Sequence, residues 1–504
     1  MTMLMAMRFK VLVSATTLML ALMFLVLPAV VAARAEVRIQ EVRSDKGITA
    51  WLVEDYSVPI IAIKFLFDGG STQDPAGKEG LANLMTGLFD EGAGDLDSDA
   101  FQIKLDEAGA EMGFNEGNDA VGGGMRMLAE RQDDAFELLK LAVERPRFDQ
   151  APIDRIRSQI VNGIVANARD PETQAARKWA EAIYSTHPYA RPDMGTEKSL
   201  ATITADDLRA FHKANFTREN IHVAVVGAID AEALKTRLDQ VFGELPEKAE
   251  LRPVERVEPK LGQTMHIEYP LPQTSLQLVY PGVPREAPDF LAAALMEHIL
   301  GGGTFSSRLF DEVREKRGLA YSVSSALINQ EHSSSLIIGT ATRSDRAAET
   351  LGVIRDVIRK MAKEGPSEAE LDAAKKYMLG AYAINNLDSS GAIAGTLVDL
   401  QTDKLGIDYM QRRIDLINAV KLDDVKAAAR KLLSVEPAIM ILGPKFVEAS
   451  KGSAPPSHWH LAAAAHAALP ISMSSRRWTS LASSRWRSLA PPLARSWALA
   501  WPPA

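Results

Sequence analysis

The sequence predicts an α+β protein made of two similar α/β units. Strand-like runs with apolar alternation come first and helical periodicities follow, the order that separates α+β from alternating β/α folds. That order then recurs in the second half of the chain, the mark of an internal duplication. A polar stretch rich in Pro, Lys and Glu divides the two occurrences and reads as a solvated linker.

The elements follow in order. Arg8 and Lys10 precede an apolar run over 11–33 that ends in Ala33-Arg34-Ala35, the charge, hydrophobic stretch and small-residue site of a secretory signal. Residues 1–35 are therefore expected to be a signal peptide, and the mature chain to work in the periplasm or otherwise outside the cytoplasm. If uncleaved, a run of roughly 20 apolar residues is long enough to span a bilayer, and it would be the chain's only membrane contact. The first unit is placed at 36–245, with strands at 48–53 and 59–67, a Gly69-Gly70 turn, helices at 80–89, 98–108 and 132–145, and a closing strand at 221–226. A linker takes 246–262. The second unit, 263–448, repeats the scheme with strands at 265–269 and 275–280, helices at 289–300, 306–317 and 345–363, and a closing strand at 438–442. From 449 to 504 Ser, Ala, Pro, Arg and Trp dominate without Asp or Glu, and five of the seven tryptophans gather there without periodicity. This low-complexity tail is expected to be disordered.

Composition narrows the chemistry. The 504 residues carry a formal charge of -8, so nothing favours phosphate-dominated nucleic-acid binding, and a peptide or protein ligand fits better. The absence of cysteine removes disulfides, thiolate ligands and cysteine nucleophiles together. Any metal site must draw on His, Asp or Glu.

The segment Gly80-Leu81-Ala82-Asn83-Leu84-Met85-Thr86-Gly87 lies on the first helix after the strand pair. It resembles the frame in which pitrilysin/insulinase peptidases, the M16 zinc metallopeptidases, write H-x-x-E-H. In that motif two imidazoles four residues apart share one face of a helix and one zinc ion, and the glutamate activates the bound water. The matching positions here are Asn83, Thr86 and Gly87, and none supplies an imidazole or a carboxylate. The family's third ligand is a glutamate eight residues before the proline of an Asp-Pro. Asp170-Pro171 puts Gly163 there, with Asn162 beside it. Other histidines offer no replacement: His187 sits in a family-like loop, Glu297-His298 has Ala294 where the first imidazole would stand, and His458, His460 and His466 fall in the tail.

The run from Gly301-Gly302-Gly303 through Arg314 to Tyr321 is similar to the family pattern almost throughout. The resemblance extends over about 36–448. It implies two duplicated domains of LuxS/M16-like type, each an antiparallel sheet covered by helices. It also implies that Arg314 and Tyr321 reach in trans to the zinc site of another subunit, where a guanidinium and a phenol can hydrogen-bond a substrate carbonyl and its oxyanion. The three glycines are expected to form a flexible turn. The chain is thus expected to bind no metal or other cofactor itself and to have no catalytic residues. It would serve as the non-catalytic, substrate-binding subunit of an extracytoplasmic heterodimer acting on peptides, with zinc on a sister subunit whose H-x-x-E-H is intact. A scaffold in a membrane-associated complex, and a peptidase with an unrecognised metal site, are the alternatives.

Overall fold

In a computed structural model the structure describes residues 38–445 except Thr304; the expected signal peptide and the tail lie outside them. The first half contains β1 (Gln40–Arg43), β2 (Thr49–Glu54), β3 (Ile60–Asp68), α1 (Leu81–Thr86), the short pair β4 (Gly92–Ala93) and β5 (Leu96–Asp97), and α2 (Ser98–Glu107). It continues with β6 (Glu111–Glu116), β7 (Ala120–Leu128), α3 (Gln132–Glu144), α4 (Gln150–Asn167), α5 (Pro171–Tyr184), α6 (Glu197–Thr202), α7 (Ala205–Asn215), β8 (Ile221–Gly227) and α8 (Ala231–Phe242). The second half has β9 (Thr264–Glu268), β10 (Gln273–Pro281), α9 (Phe290–Glu297), α10 (Arg308–Phe310), β11 (Ala320–Gln330) and β12 (Ser333–Arg343). It ends with α11 (Ala347–Glu364), α12 (Glu368–Asn386), α13 (Ser390–Thr402), α14 (Tyr409–Ala419), α15 (Leu422–Leu433) and β13 (Ala438–Gly443).

The two sheets run β1-β2-β8-β3-β7-β6 and β11-β12-β10-β13-β9. Five strands correspond one to one: β2, β8, β3, β7 and β6 occupy the places of β9, β13, β10, β12 and β11. Among these five strands of each sheet every pair is antiparallel except one. The closing strand, β8 or β13, runs parallel to the opening strand beside it, β2 or β9. The duplication seen in the order of elements therefore extends to pairing direction.

Alternation along the central strands sends residues to two apolar layers. Ile61, Ile63, Phe65 and Phe67 of β3, with Val223 and Val225 of β8, enter a core with Leu84, Phe136, Leu139 and Phe242 from the helices. Leu276, Leu278, Ile439 and Ile441 do the same in the second half, against Leu295, Ile354, Ile358 and Leu432. The opposite faces are covered by exchange between the halves. Trp179, Ala175 and Ile183 of α5 pack on Val279, Ala438, Met440 and Leu442 of the second sheet. In return α13 lies across β3 and β8, where Ala62, Ala224 and Val226 are buried and Gln401 Nε2 donates to Val223 O at 2.9 Å. Both faces of the central strands are buried, which accounts for their near-continuous apolar runs.

The connecting segment is tied down rather than freely solvated. Gln73 makes a two-way pair with the Arg252 backbone at 2.7 and 3.0 Å. Val257 N donates to His332 O at 2.8 Å, and Lys260 N to Ile183 O at 3.0 Å. Its charged side chains face water while its backbone is stitched to both halves, a pattern that composition does not reveal. No helix among the described residues is long and apolar enough to cross a membrane.

Candidate functional site

Helix α1 is short and tightly held. Asp74 accepts Gly80 N at 2.8 Å and Ala82 N at 3.0 Å, so a remote carboxylate does the work of an N-cap. Burial pushes the Asp74 carboxyl up to about 7, against the opposing pull of those backbone hydrogen bonds. The helix was expected to reach residue 89, yet it stops at Thr86 with Gly87 as its C-cap. A glycine inside a helix costs about 1 kcal/mol, and the turn simply ends there.

Leu81, Ala82, Leu84, Met85, Leu88 and Phe89 are all buried, whereas Asn83, Thr86 and Gly87 are half-exposed. The i, i+3, i+4 positions thus form the one open stripe of α1, where helical spacing places the ligand positions of the motif. Their chemistry is spent on local structure. Asn83 Nδ2 donates to Glu116 Oε1 at 2.8 Å, and Thr86 Oγ1 donates to Asn83 O at 2.8 Å. A Cβ on Gly87 would lie 2.9 Å from Ile156 Cγ2 of α4, and one on Gly163 would meet nothing within 4 Å. These residues do not fit a zinc ion: an amide, a hydroxyl and two glycines offer neither imidazole nitrogen nor carboxylate. Among the described residues no three His, Cys, Asp or Glu side chains converge as a metal-holding group.

His187 is engaged at both ring nitrogens. Nδ1 accepts from Tyr189 N at 3.2 Å and Nε2 lies 2.9 Å from Glu255 O, so the neutral tautomer carries its proton on Nε2. Burial lowers its pKa in the same sense.

In the second half α9 runs into a π turn, His298–Gly302, and α10 into another, Asp311–Glu315. Such turns are rare and gather at functional sites. The three glycines were expected to be flexible, but close approach explains two of them. A Cβ on Gly301 would fall 2.8 Å from Ser325 N, and one on Gly302 would fall 2.6 Å from both Glu297 carboxylate oxygens. Glu297 Oε1 accepts from Ser325 Oγ at 2.8 Å, and burial pushes its carboxyl up to about 7. His298 stacks on Tyr377 with centroids 4.7 Å apart.

The structure brings Arg314 and Tyr321 together. The guanidinium lies 4.8 Å from the Phe310 ring centroid and 4.9 Å from that of Tyr321, held by cation–π contact. Its nearest ion pair, with Glu315, is long at 3.7 Å. Tyr321 begins β11, beside an irregularity in the β11–β12 pairing, and is 76% exposed. Phe305, which packs on Phe310 at 5.3 Å, is equally exposed. A planar donor fork and a phenol are thus presented to solvent on an aromatic bed. Composition and spacing gave no sign of this bed, because Phe305 and Phe310 carry no family role in the sequence pattern. The structure does not set these two residues and the α1 stripe into one metal-binding constellation.

Comparison with known proteins agrees with this reading of the fold. Residues 202–378 match the family model of the peptidase M16 inactive domain. An uncharacterized zinc protease of Mycobacterium tuberculosis (strain H37Rv) is 30% identical over 321 residues, covering 62% of this chain and 71% of the relative. A protein of Helicobacter pylori named non-peptidase homolog YmxG is 24% identical over 379 residues, covering 74% of this chain and 86% of the relative. The crystal structure of a peptidase M16 inactive domain from Pseudomonas fluorescens superposes with a TM-score of 0.76 at 30% identity, over 82% of this chain and 99% of that one. This chain belongs to the M16 peptidase family as one of its inactive homologues.

Proposed function

We propose that this inactive homologue is the non-catalytic, substrate-binding subunit of an extracytoplasmic M16-type zinc metallopeptidase heterodimer acting on peptides. The observation that carries the reading is the pairing of an α1 stripe without imidazole or carboxylate, and of no metal-holding cluster among the described residues, with an Arg314–Tyr321 couple at the surface. Among the described residues Arg314 has no carboxylate closer than 3.7 Å, so its N–H groups remain available to a carbonyl or an oxyanion. The open edges add support. β6 and β11 end their sheets, β6 adjoins the polar stripe of α1 through Glu116, and β11 starts at the Arg314–Tyr321 couple. An extended peptide can add as a strand to such an edge.

In this reading zinc and the base that activates water reside on a sister subunit with H-x-x-E-H. This chain supplies grip and orientation. The extracytoplasmic location rests on the signal-like segment 1–35.

The test is co-expression with a sister subunit that carries H-x-x-E-H. Zinc should be found on the sister alone, the pair should cleave peptides, and this chain alone should not. Removing one preorganised oxyanion donor costs about 10²–10³ in rate in enzymes of this logic, so Arg314→Ala and Tyr321→Phe should each reduce kcat in the complex steeply without dissociating it. Full activity in both variants, or cleavage by this chain by itself, refutes the assignment.

A further inference from the structure

Two arginines of one segment, Arg308 and Arg314, are used in opposite ways. Arg314 has only a long ion pair to its neighbour Glu315, whereas Arg308, at the start of α10, spends its guanidinium within the fold. Arg308 Nε donates to Glu370 Oε1 at 2.7 Å and Nη2 donates to Glu370 Oε2 at 2.8 Å, a bidentate fork that fixes direction as well as distance. Nη2 also donates to Gly365 O at 3.0 Å, and Nη1 lies 3.8 Å from Met361 Sδ.

The partners of Arg308 are themselves fixed. Glu370 Oε2 accepts from Ser367 N and from Ser367 Oγ, each at 2.7 Å, so the carboxylate that holds Arg308 also closes the capping box of α12. Gly365 ends α11 at a φ of 70°, with its N bonded to Met361 O at 2.9 Å, and a Cβ there would collide with the Lys426 side chain. The Arg308 guanidinium holds the Glu370 carboxyl down to about 2, so the pair stays ionised at neutral pH.

What the fork holds is short. α10 has three residues before the chain enters the π turn Asp311–Glu315 that carries Arg314, and so brief a helix has little stability of its own. Leu309 and Val313 are buried in the second core and set the depth of the segment. The fork adds direction, tying α10 to the ends of α11 and α12, which are 18 and 19 residues long. Phe310, two residues after Arg308, is the ring that lies 4.8 Å from the Arg314 guanidinium.

We propose that Arg308 and Glu370 are positioning residues that hold Arg314 in its working orientation between Phe310 and Tyr321. The proposal rests on the substrate-binding role given to that couple above. Neither residue is assigned a contact with substrate; both act through α10 and Arg314.

Two measurements test it. In the isolated full chain, hydrogen exchange read by mass spectrometry follows amides bonded within the segment, Lys316 N to Asp311 O and Leu319 N to Val313 O, both at 2.9 Å. Arg308→Lys keeps the charge and loses the fork. Exchange over 311–321 should then rise about tenfold or more, while β10 and β12 keep the rate of the parent. Unchanged exchange in that segment, or an equal rise in the strands, overturns the proposal. In the complex with the H-x-x-E-H subunit, the misplaced Arg314 should lower kcat about 10²-fold at unchanged KM and without dissociating the pair. Because Arg308 acts through Arg314, Arg308→Lys/Arg314→Ala should be no slower than Arg314→Ala alone, a non-additivity that a merely structural role would not give. Losses that multiply overturn the proposal. If the pair cleaves no peptide, the subunit reading falls and the exchange result decides this one. If Arg308→Lys does not fold, Glu370→Gln takes its place in both measurements, with the same outcomes.

Discussion

Asp119→Ala should loosen the joint between the halves by an amount the structure allows to be worked out. Asp119 lies in the β6–β7 turn and accepts the Tyr189 hydroxyl at 2.7–2.8 Å and Glu331 N at 3.0 Å. Tyr189 Oη in turn accepts His332 N at 3.0 Å. One carboxylate therefore joins a first-half turn, the loop after α5 and the β11–β12 hairpin. Hydrogen bonds to a charged group contribute about 1.5–3 kcal/mol each, which gives roughly 3–6 kcal/mol for two donors. Burial works against this, and it raises the Asp119 pKa as the largest influence on that group. Removing the carboxylate recovers that desolvation and leaves two donors without their acceptor, so we expect a net loss of about 2–3 kcal/mol in Asp119→Ala. Asp119→Asn keeps one acceptor oxygen and should lose about 1 kcal/mol. Over the roughly 400 residues from Arg38 to Lys445, about 2–3 kcal/mol lowers the melting temperature by only a few degrees, so urea titration is the better assay. A double-mutant cycle with Tyr189→Phe should return a coupling of about 1–2 kcal/mol. A loss below about 0.5 kcal/mol in the alanine variant, with no coupling, refutes the claim that this carboxylate holds the halves together.

Other outcomes follow from single contacts. Trp179 is buried against Val279, Met440 and Leu442 of the other half's sheet, so Trp179→Ala should cost about 3–5 kcal/mol in denaturant unfolding; a loss under about 1 kcal/mol would show that the exchanged helix is dispensable. Glu297 titrates near 7 in the folded chain against an ordinary 4.5. Its contribution to stability is therefore complete below about pH 4.5 and is lost as pH rises towards about 7. The full shift corresponds to about 3 kcal/mol, and the half-buried side chain reduces this to about 1–2 kcal/mol. Glu297→Gln should gain that much relative to the parent between about pH 5 and pH 8 in paired urea titrations, and parallel curves would contradict it. Finally, Asn83→His, Thr86→Glu, Gly87→His and Gly163→Glu combined should create a site that takes up one zinc per chain by metal analysis. The histidine at 87 must displace Ile156, which costs about 1–3 kcal/mol, so adding Ile156→Ala should restore stability. Failure to bind stoichiometric zinc in both would mean that these four positions do not converge.

Much of the fold was legible because it is written in alternation and period. The strands expected at 48–53, 59–67, 265–269 and 275–280 lie within a residue or two of β2, β3, β9 and β10, where β-branched and aromatic runs are bounded by turns. Helix α11, expected at 345–363, spans Ala347–Glu364. What stayed hidden depended on partners distant in sequence. Strand β7 contains Gly122, Gly123 and Gly124 and does not read as a strand. A Cβ on Gly123 would collide with the Phe65 ring at 2.3 Å, so its glycines answer to the neighbouring strand and not to local preference. The second face of each sheet was equally unreadable, since Ala62 and Ala224 are small only because α13 crosses them. Of the candidate site, only the absence of imidazole and carboxylate at 83, 86, 87 and 163 was legible, from the residue types themselves. The Phe310–Arg314–Tyr321 stack was not, because it requires a π turn that brings positions 314 and 321 side by side.

The duplication gives the missing chemistry a structural meaning. Sheet and helix order place Ala294, Glu297 and His298 of α9 and its π turn where the first half has Asn83, Thr86 and Gly87. The two halves fill these corresponding places by different means. In the first, Asn83 is turned onto Glu116 and Gly87 is closed by Ile156; in the second, Glu297 is held by Ser325 against Gly302 and His298 is stacked on Tyr377. A carboxylate and an imidazole survive in the second half, yet they serve packing, with burial disfavouring the charge on each. The neutral forms so favoured suit a fixed wall. Polar groups on the helix after the first strand pair thus hold a turn or a neighbouring strand in both halves, while the half-buried Arg314 and the exposed Tyr321 of the second half are held by ring contacts.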